Sequence, residues 1–262
     1  VDHNLPNAIA GLLVGVVVGA TGVGGGALMT PVLVLLFGVA PQTAVGTDLL
    51  FAALTKIFGT AVHHRQGTVD WPVVKRLALG SLPAAAATLA LMTLTSTAQV
   101  RGGFLIKAVA VALLITAAGI LSKDWLQRVG RNGPPGMMGF LGRSQVPLTV
   151  VAGVVLGMLV TLTSIGAGAL GTVLLVYLYP VRLTPGRLVG TDLAHAIPLT
   201  LIAGTGHLMM GNVDGGLLTN LLMGSIPGVL VGSWISTRAP MQWVRVGLAV
   251  ILAAVAAKML AT

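Results

Sequence analysis

An apolar run over residues 7–38 contains Ala20-Thr21-Gly22-Val23-Gly24-Gly25-Gly26 in its middle. Each glycine costs about 1 kcal/mol relative to alanine in a helix interior, so this is not a sequence for a continuous helix. In hydrocarbon every free backbone polar group is costly, and non-helical backbone survives only where protein or a cavity surrounds it. The stretch therefore predicts a helix that enters an apolar phase, unwinds at the glycines and restarts. A second apolar run, 146–179, repeats the device as Ser164-Ile165-Gly166-Ala167-Gly168.

The apolar phase is a membrane. Hydrophobic residues make up 55% of the 262 positions and charged residues only 8%, with a mean hydropathy of +0.97. Soluble domains carry about 25% charged residues. The expected class is all-α and polytopic. A net charge of +9 would suit a nucleic-acid binder if it lay on one face, but the basic residues fall between apolar segments, as in membrane proteins. There is no cysteine, which excludes disulfides, thiol redox chemistry and thiolate metal sites; no cofactor or metal is expected. Val1–Pro6 carries no basic n-region of a signal peptide, so the first apolar segment is expected to belong to the mature fold.

Eight apolar segments can be marked, at about 7–38, 41–63, 71–95, 99–121, 146–179, 185–208, 215–236 and 241–261. The polar interruption at 122–145 carries Lys123, Arg128, Arg131 and Arg143 around Gly133-Pro134-Pro135-Gly136. It separates a first membrane repeat, 1–121, from a second, 146–262. A gap-free shift of 144 residues pairs Gly22 with Gly166, Gly24 with Gly168, and Val45-Gly46-Thr47-Asp48-Leu49 with Val189-Gly190-Thr191-Asp192-Leu193. It also pairs His63 with His207, Val69-Asp70 with Val213-Asp214, and Gly80-Ser81 with Gly224-Ser225. Matched glycine, aspartate and histidine in apolar segments mark an internal duplication.

Segments 1 and 5 are longer than the ~20 residues a span requires, while the halves on either side of each break are shorter. Each is thus an interrupted span or a re-entrant hairpin. Loop charge discriminates between them. With both re-entrant, each repeat has three further transmembrane helices and the second repeat is inverted. The linker, Arg65, Lys75, Arg76, Arg182, Arg187, Arg238 and Arg245 then share one side, opposite Arg101 and Lys258. That asymmetry favours inverted repeats, with 122–145 cytoplasmic and both termini outside.

A restarting half-helix presents unsatisfied amides and the positive end of its dipole, which together attract an anion without a charged side chain. The expected substrate contacts are Thr21, Gly22, Gly24, Gly25 and Gly26 in the first break, and Ser164, Gly166 and Gly168 in the second. Close helix packing through small residues is the competing account. Thr47 and Thr191 could add hydroxyls, and Lys56, deep in segment 2 and replaced by Thr200 in the repeat, a charge. Asp48 and Asp192 lie inside apolar segments, where a carboxylate needs a partner, a cavity or a proton. They read as coupling groups or as ties to the broken helices. His195, three residues after Asp192 on the same face, reads equally as a proton path and as a structural partner. His63 and His207 read as interfacial anchors.

Taken as a set, the Gly-rich break, the Gly-Thr-Asp stretch, His63-His64-Arg65-Gln66-Gly67-Thr68-Val69-Asp70-Trp71 and Gly80-Ser81-Leu82-Pro83 resemble the TauE/SafE sulfite exporter family, and the second half repeats the pattern. The resemblance implies a multi-pass transporter in the bacterial inner membrane for sulfur-containing anions such as sulfite or small organosulfonates. It also implies export and proton coupling, and it points to no nucleic-acid partner and no enzymatic activity. An anion channel of the same architecture is the alternative. An intramembrane enzyme using Ser164 with His195 or His207 is a weaker one, since Ser164 aligns with Ala20.

Overall fold

The computed structural model describes residues 5–21, 26–94, 102–132, 135–166, 168–236 and 241–261. Among these there are ten helices and no strand. They are α1 (Leu5–Thr21), α2 (Gly26–Leu35), α3 (Pro41–Arg65), α4 (Trp71–Leu94), α5 (Gly102–Asn132), α6 (Pro135–Thr163), α7 (Ala169–Leu178), α8 (Pro185–Met209), α9 (Gly215–Ser236) and α10 (Met241–Ala261). Among the described residues, four stretches are long and apolar enough to cross a bilayer: Trp71–Leu94, Ser144–Thr163, Gly186–Met209 and Gly215–Gly232. Leu5–Val18, Ile106–Ser122 and Ala249–Leu260 are shorter apolar helices.

The polar 122–145 stretch is largely helical. Helix α5 runs on to Asn132 and α6 begins at Pro135, so 122–145 is helical on both sides of residues 133–134. Proline suits the first helical position, where no intrahelical partner for its missing N–H is needed.

The hairpin of the second half differs from expectation in its proportions. Its first arm includes Ser144–Thr163, 20 residues or about 30 Å of helix, which is a full span rather than a short half. Only α7, with 10 residues and about 15 Å, is short. The chain nonetheless turns back. Gln145 Nε2 donates to the Leu178 carbonyl at 2.7 Å, and the Thr149 and Tyr179 hydroxyls are 2.8 Å apart, so α7 ends beside the start of the apolar part of α6.

Helices α3 and α8 have the same bounds displaced by 144 residues, and they cross antiparallel. Gly46 packs on the Asn212 backbone, Gly190 on Thr68 and His63, and Gly204 on Leu50. Two parallel pairs flank this crossing. Gly11 and Gly15 of α1 lie against the backbone at Leu221 and Ser225 of α9, while Gly153 and Gly157 of α6 lie against Leu77 and Ser81 of α4. A Cβ at any of these four glycines would overlap the facing backbone, so the missing side chain is what allows such close approach. The α9 and α4 partners are 144 residues apart, whereas the glycines of α1 and α6 are 142 apart. The gap-free register therefore fails by two residues ahead of the breaks.

These pairs cross the boundary between the repeats. One core cluster joins Val73 and Leu77 of α4 to Leu156 of α6, Leu175 of α7 and Leu188 at the start of α8. Its counterpart joins Leu221 of α9 to Val14 of α1, Met29 and Leu33 of α2, and Phe51 of α3. A third, central cluster combines α3, α5, α8 and α10, including Leu49, Leu113, Leu199 and Leu252. The packing bodies are thus not the two halves of the sequence.

Candidate functional site

The second break, between α6 and α7, is the most constrained backbone among the described residues. Ser164 has φ 59°, the one positive value outside glycine, and Gly166 and Gly168 have φ 121° and 150°. A serine in the left-handed region is strained and persists only where its surroundings hold it. Thr163 Oγ1 accepts the Ile165 amide at 3.1 Å, and the Gly166 carbonyl accepts the amides of Gly168 and Gly171 at 2.8 and 3.0 Å. These bonds shape the turn and leave α7 starting in the protein interior. The Ser164 hydroxyl is buried and has no hydrogen-bond partner among the described residues.

Around this turn the fold assembles the residues that composition made costliest. Asp48 of α3 is fully buried, and its Oδ2 accepts a 2.6 Å hydrogen bond from Thr30 of α2. Its Oδ1 has no hydrogen-bond partner among the described residues. Ser164 faces the same carboxylate, outside good hydrogen-bond geometry. Lys56, two turns further along α3 and 3% exposed, is within electrostatic reach of both Asp48 and Asp192. Asp192 of α8, 1% exposed, lies against the first turn of α7, where a Cβ on Gly171 would overlap its Oδ1. His195 also feels the charge of Lys56, and its Nε2 is 2.8 Å from Ser81 Oγ of α4. Thr30, Asp48, Lys56, Ser164, Asp192, His195 and Ser81 thus converge from α2, α3, α4, α8 and the break.

The other expected contacts are placed differently. Thr21 closes α1 and Gly26 opens α2, while Gly22, Gly24 and Gly25 lie outside the described residues. The hydroxyls of Thr47 and Thr191 accept the amides of Asp214 and Asp70 at 3.1 and 3.0 Å. They are matching ties between the end of one repeat's helix and the loop of the other. His207 donates from Nε2 to the Thr161 carbonyl at 3.0 Å, one of the carbonyls the end of α6 leaves unpaired, so it is a buried structural donor. His63 pairs through Nδ1 with Thr68 Oγ1 at 2.8 Å. Neither histidine joins Ser164, and the partner of His195 is Ser81, so the serine–histidine arrangement of an intramembrane hydrolase at Ser164 is not formed.

At the basic end, Arg182 makes a bidentate pair with Asp70, Nε to Oδ2 at 2.8 Å and an Nη to Oδ1 at 2.9 Å. The Asp70 hydrogen bonds push the guanidinium further above its ordinary value. Arg182 also lies over the Tyr179 ring at 5.9 Å, and Arg76 donates to the Tyr179 hydroxyl at 3.2 Å. Asp70 accepts the Val73 amide as well, so it caps α4 while it holds the loop before α8. Ser81, Thr30 and this arginine–tyrosine cluster were not singled out from sequence. Ser81 and Asp70 did carry a signal, because polar residues preserved in both copies of a duplicated apolar segment mark buried contacts.

An all-helical, multi-pass fold with a broken helix and buried charges at its centre is the architecture of a membrane transporter. The profile of the sulfite exporter TauE/SafE family matches residues 7–259, and the chain belongs to that family. It is 41% identical over 240 residues to the probable membrane transporter protein YjnA of Bacillus subtilis (strain 168), covering 90% of this chain and 92% of that one. It is 26% identical over 228 residues to YdhB of the same organism, also named a probable membrane transporter protein, covering 87% and 88%. No solved structure matches the chain.

Proposed function

We propose that the chain is a secondary carrier that exports small sulfur-containing anions, such as sulfite or small organosulfonates, across the bacterial inner membrane in exchange with or together with protons. The observation that carries this reading is the buried Asp48–Lys56–Asp192 set at the second break. Ionisable groups at this depth are expensive and mark transport pathways. Ser164 and the first turn of α7 offer a hydroxyl and a positive helix pole to the anion, Lys56 offers a charge, and Asp48, Asp192 and His195 take part in coupling. We assign the matching half of the site to the glycine stretch 22–26 on sequence alone, residues 22–25 lying outside the described residues.

The set is sealed on the described side, with Asp48, Asp192, Lys56 and Ser164 each 3% exposed or less, which favours a carrier over an open channel. Alternating access would rock the α1–α2–α9 body and the α4–α6–α7 body about the antiparallel α3–α8 pair. The basic end, with Arg65, Lys75, Arg76, Arg182, Arg187 and the 122–145 region, faces the cytoplasm. The test is flux in proteoliposomes of sulfite, sulfoacetate, taurine, thiosulfate and sulfate, with and without a pH gradient. Saturable, gradient-driven flux of one or more of these supports the carrier. Flux far above carrier rates and indifferent to the gradient would make the protein a channel, and no flux of any would overturn the reading.

A further inference from the structure

The carboxylate of Asp192 lies against the first turn of α7. Gly171 is the third residue of α7, and its Cα faces Asp192 Oδ1 so closely that any side chain there would displace the carboxylate. A negative charge in the first turn is stabilised by the helix dipole, and here Lys56 adds a cation within electrostatic reach. In the break that leads into α7, the Ser164 hydroxyl is 1% exposed and has no hydrogen-bond partner among the described residues. A buried donor thus stands in the break before a helix whose first turn already carries an internal anion against it.

We propose that Asp192 is a tethered stand-in for the transported anion, displaced from the first turn of α7 when it takes a proton, so that proton uptake and anion binding at Ser164 and α7 are one event. This rests on the carrier reading above and adds to it a coupling device and a substrate charge. The ionisable groups about Asp192 are Lys56 of α3, which is within electrostatic reach of both Asp192 and Asp48, and His195, three residues along its own helix with Ser81 of α4 behind it, while Ser164 of the break faces Asp48. With both carboxylates and the ammonium ionised, the set carries one net negative charge. One proton on Asp192 and one monoanion at α7 leave that charge unchanged. The loaded and empty sites then cross with equal charge. A monoanion such as hydrogen sulfite or a sulfonate is therefore carried with one proton and moves no net charge, whereas a dianion would leave the site with an extra buried charge.

The probe is methanesulfonate, whose sulfonate stays ionised from about pH 5 to pH 8, so any pH dependence belongs to the protein. In the purified full chain its Kd should rise about tenfold for each pH unit in the range where Asp192 is ionised, because one proton is taken up per anion bound. In Asp192→Asn the dependence should vanish, with Kd at high pH as tight as the intact chain reaches at low pH. Gly171→Ala, which expels the carboxylate while keeping it ionisable, should flatten the dependence in the same direction and guards against a folding defect peculiar to Asp192→Asn. In proteoliposomes, methanesulfonate uptake should follow a pH gradient and ignore a potassium–valinomycin potential. Binding that is independent of pH in the intact chain, or uptake driven by the potential alone, would overturn the exchange while leaving the carrier standing. Failure to bind at any pH in the intact chain and both variants would overturn the site itself.

Discussion

Lys56 is the residue on which the buried charges depend. It is 3% exposed, and its counter-ions Asp48 and Asp192 are 0% and 1% exposed, so neither carboxylate can exchange the lysine for solvent. Lys56→Met keeps the length and packing of the side chain and removes the charge, leaving two buried carboxylates without their shared cation. Removing one partner of a buried ion pair costs about 3–5 kcal/mol, most of it the price of the charge left behind. Combining Lys56→Met with Asp48→Asn returns the set to one net negative charge, so the double variant should recover about 2 kcal/mol of the loss, within the range measured for directly coupled residues. The assay is equilibrium unfolding of the detergent-solubilised protein in the four members of the cycle, followed by helix content. If the two substitutions add to within about 0.5 kcal/mol, Lys56 and Asp48 are not one electrostatic unit and the charge-compensation argument is wrong.

Glycine positions separate backbone contact from mere permissiveness. Gly157→Ala should destabilise by about 1–3 kcal/mol, because its Cβ would overlap the Ser81 carbonyl and press on Ala84, whereas Gly247→Ala, with nothing within 4 Å inside α10, should gain up to about 1 kcal/mol; the same unfolding assay reads both. Cysteines at Thr68 and Gly186, where the new Cβ would stand 3.9 Å from Thr68 Cγ2, should form a disulfide in this otherwise cysteine-free chain. The bond should stop flux in proteoliposomes until a reductant restores it, and unimpeded flux with the bond intact would show that the basic end does not open there. A cysteine at Gln66 should resist a membrane-impermeant thiol reagent added to intact cells, whereas one at Met209, exposed at the opposite end, should react; the reverse pattern would invert the orientation.

The helices, the duplication and the central placement of Asp48, Lys56 and Asp192 were legible because each leaves a local mark in the sequence. A carboxylate in an apolar run has nowhere favourable to go except the interior of a bundle, so its burial follows from composition alone. The partners were not legible. That Thr47 would hold Asp214 and Thr191 would hold Asp70 depends on an antiparallel crossing of α3 over α8, and no periodicity within either helix encodes it. Those threonines, expected as substrate contacts, also tie the repeats together. The length of the first hairpin arm was missed for a different reason. Pro147 and the polar Ser144–Gln145 suggest a boundary, yet α6 continues through them, since its glycines at 153 and 157 let α4 pack against it along its length.

The duplication also separates what holds the fold from what performs the chemistry. Residues matched across the repeats include the packing glycines, the Thr47 and Thr191 ties, and the helix-capping Asp70 and Asp214, whose Oδ1 accepts the Leu217 amide at 2.9 Å. Residues without a like counterpart gather at the break: Lys56 is matched by Thr200, His195 by Phe51 and Thr30 by Leu174, and Ser164 has no serine opposite it at a shift of either 142 or 144. Two inverted copies related by a near two-fold would by themselves present the same site to either side of the membrane. With a lysine from the first copy and a histidine and a strained serine from the second, the cluster itself has no two-fold symmetry. On the carrier reading proposed above, the two faces should then differ in affinity at equal proton concentration. Asp48 and Asp192 are the exceptions that make the argument stronger, because they are matched in sequence and different in situation. One is held by the Thr30 hydroxyl on the second turn of α2, and the other lies against the first turn of α7 at Gly171. A single duplicated carboxylate has thus been given two environments, one beside a hydroxyl of α2 and one at the first turn of α7, where the proposed exchange would take place.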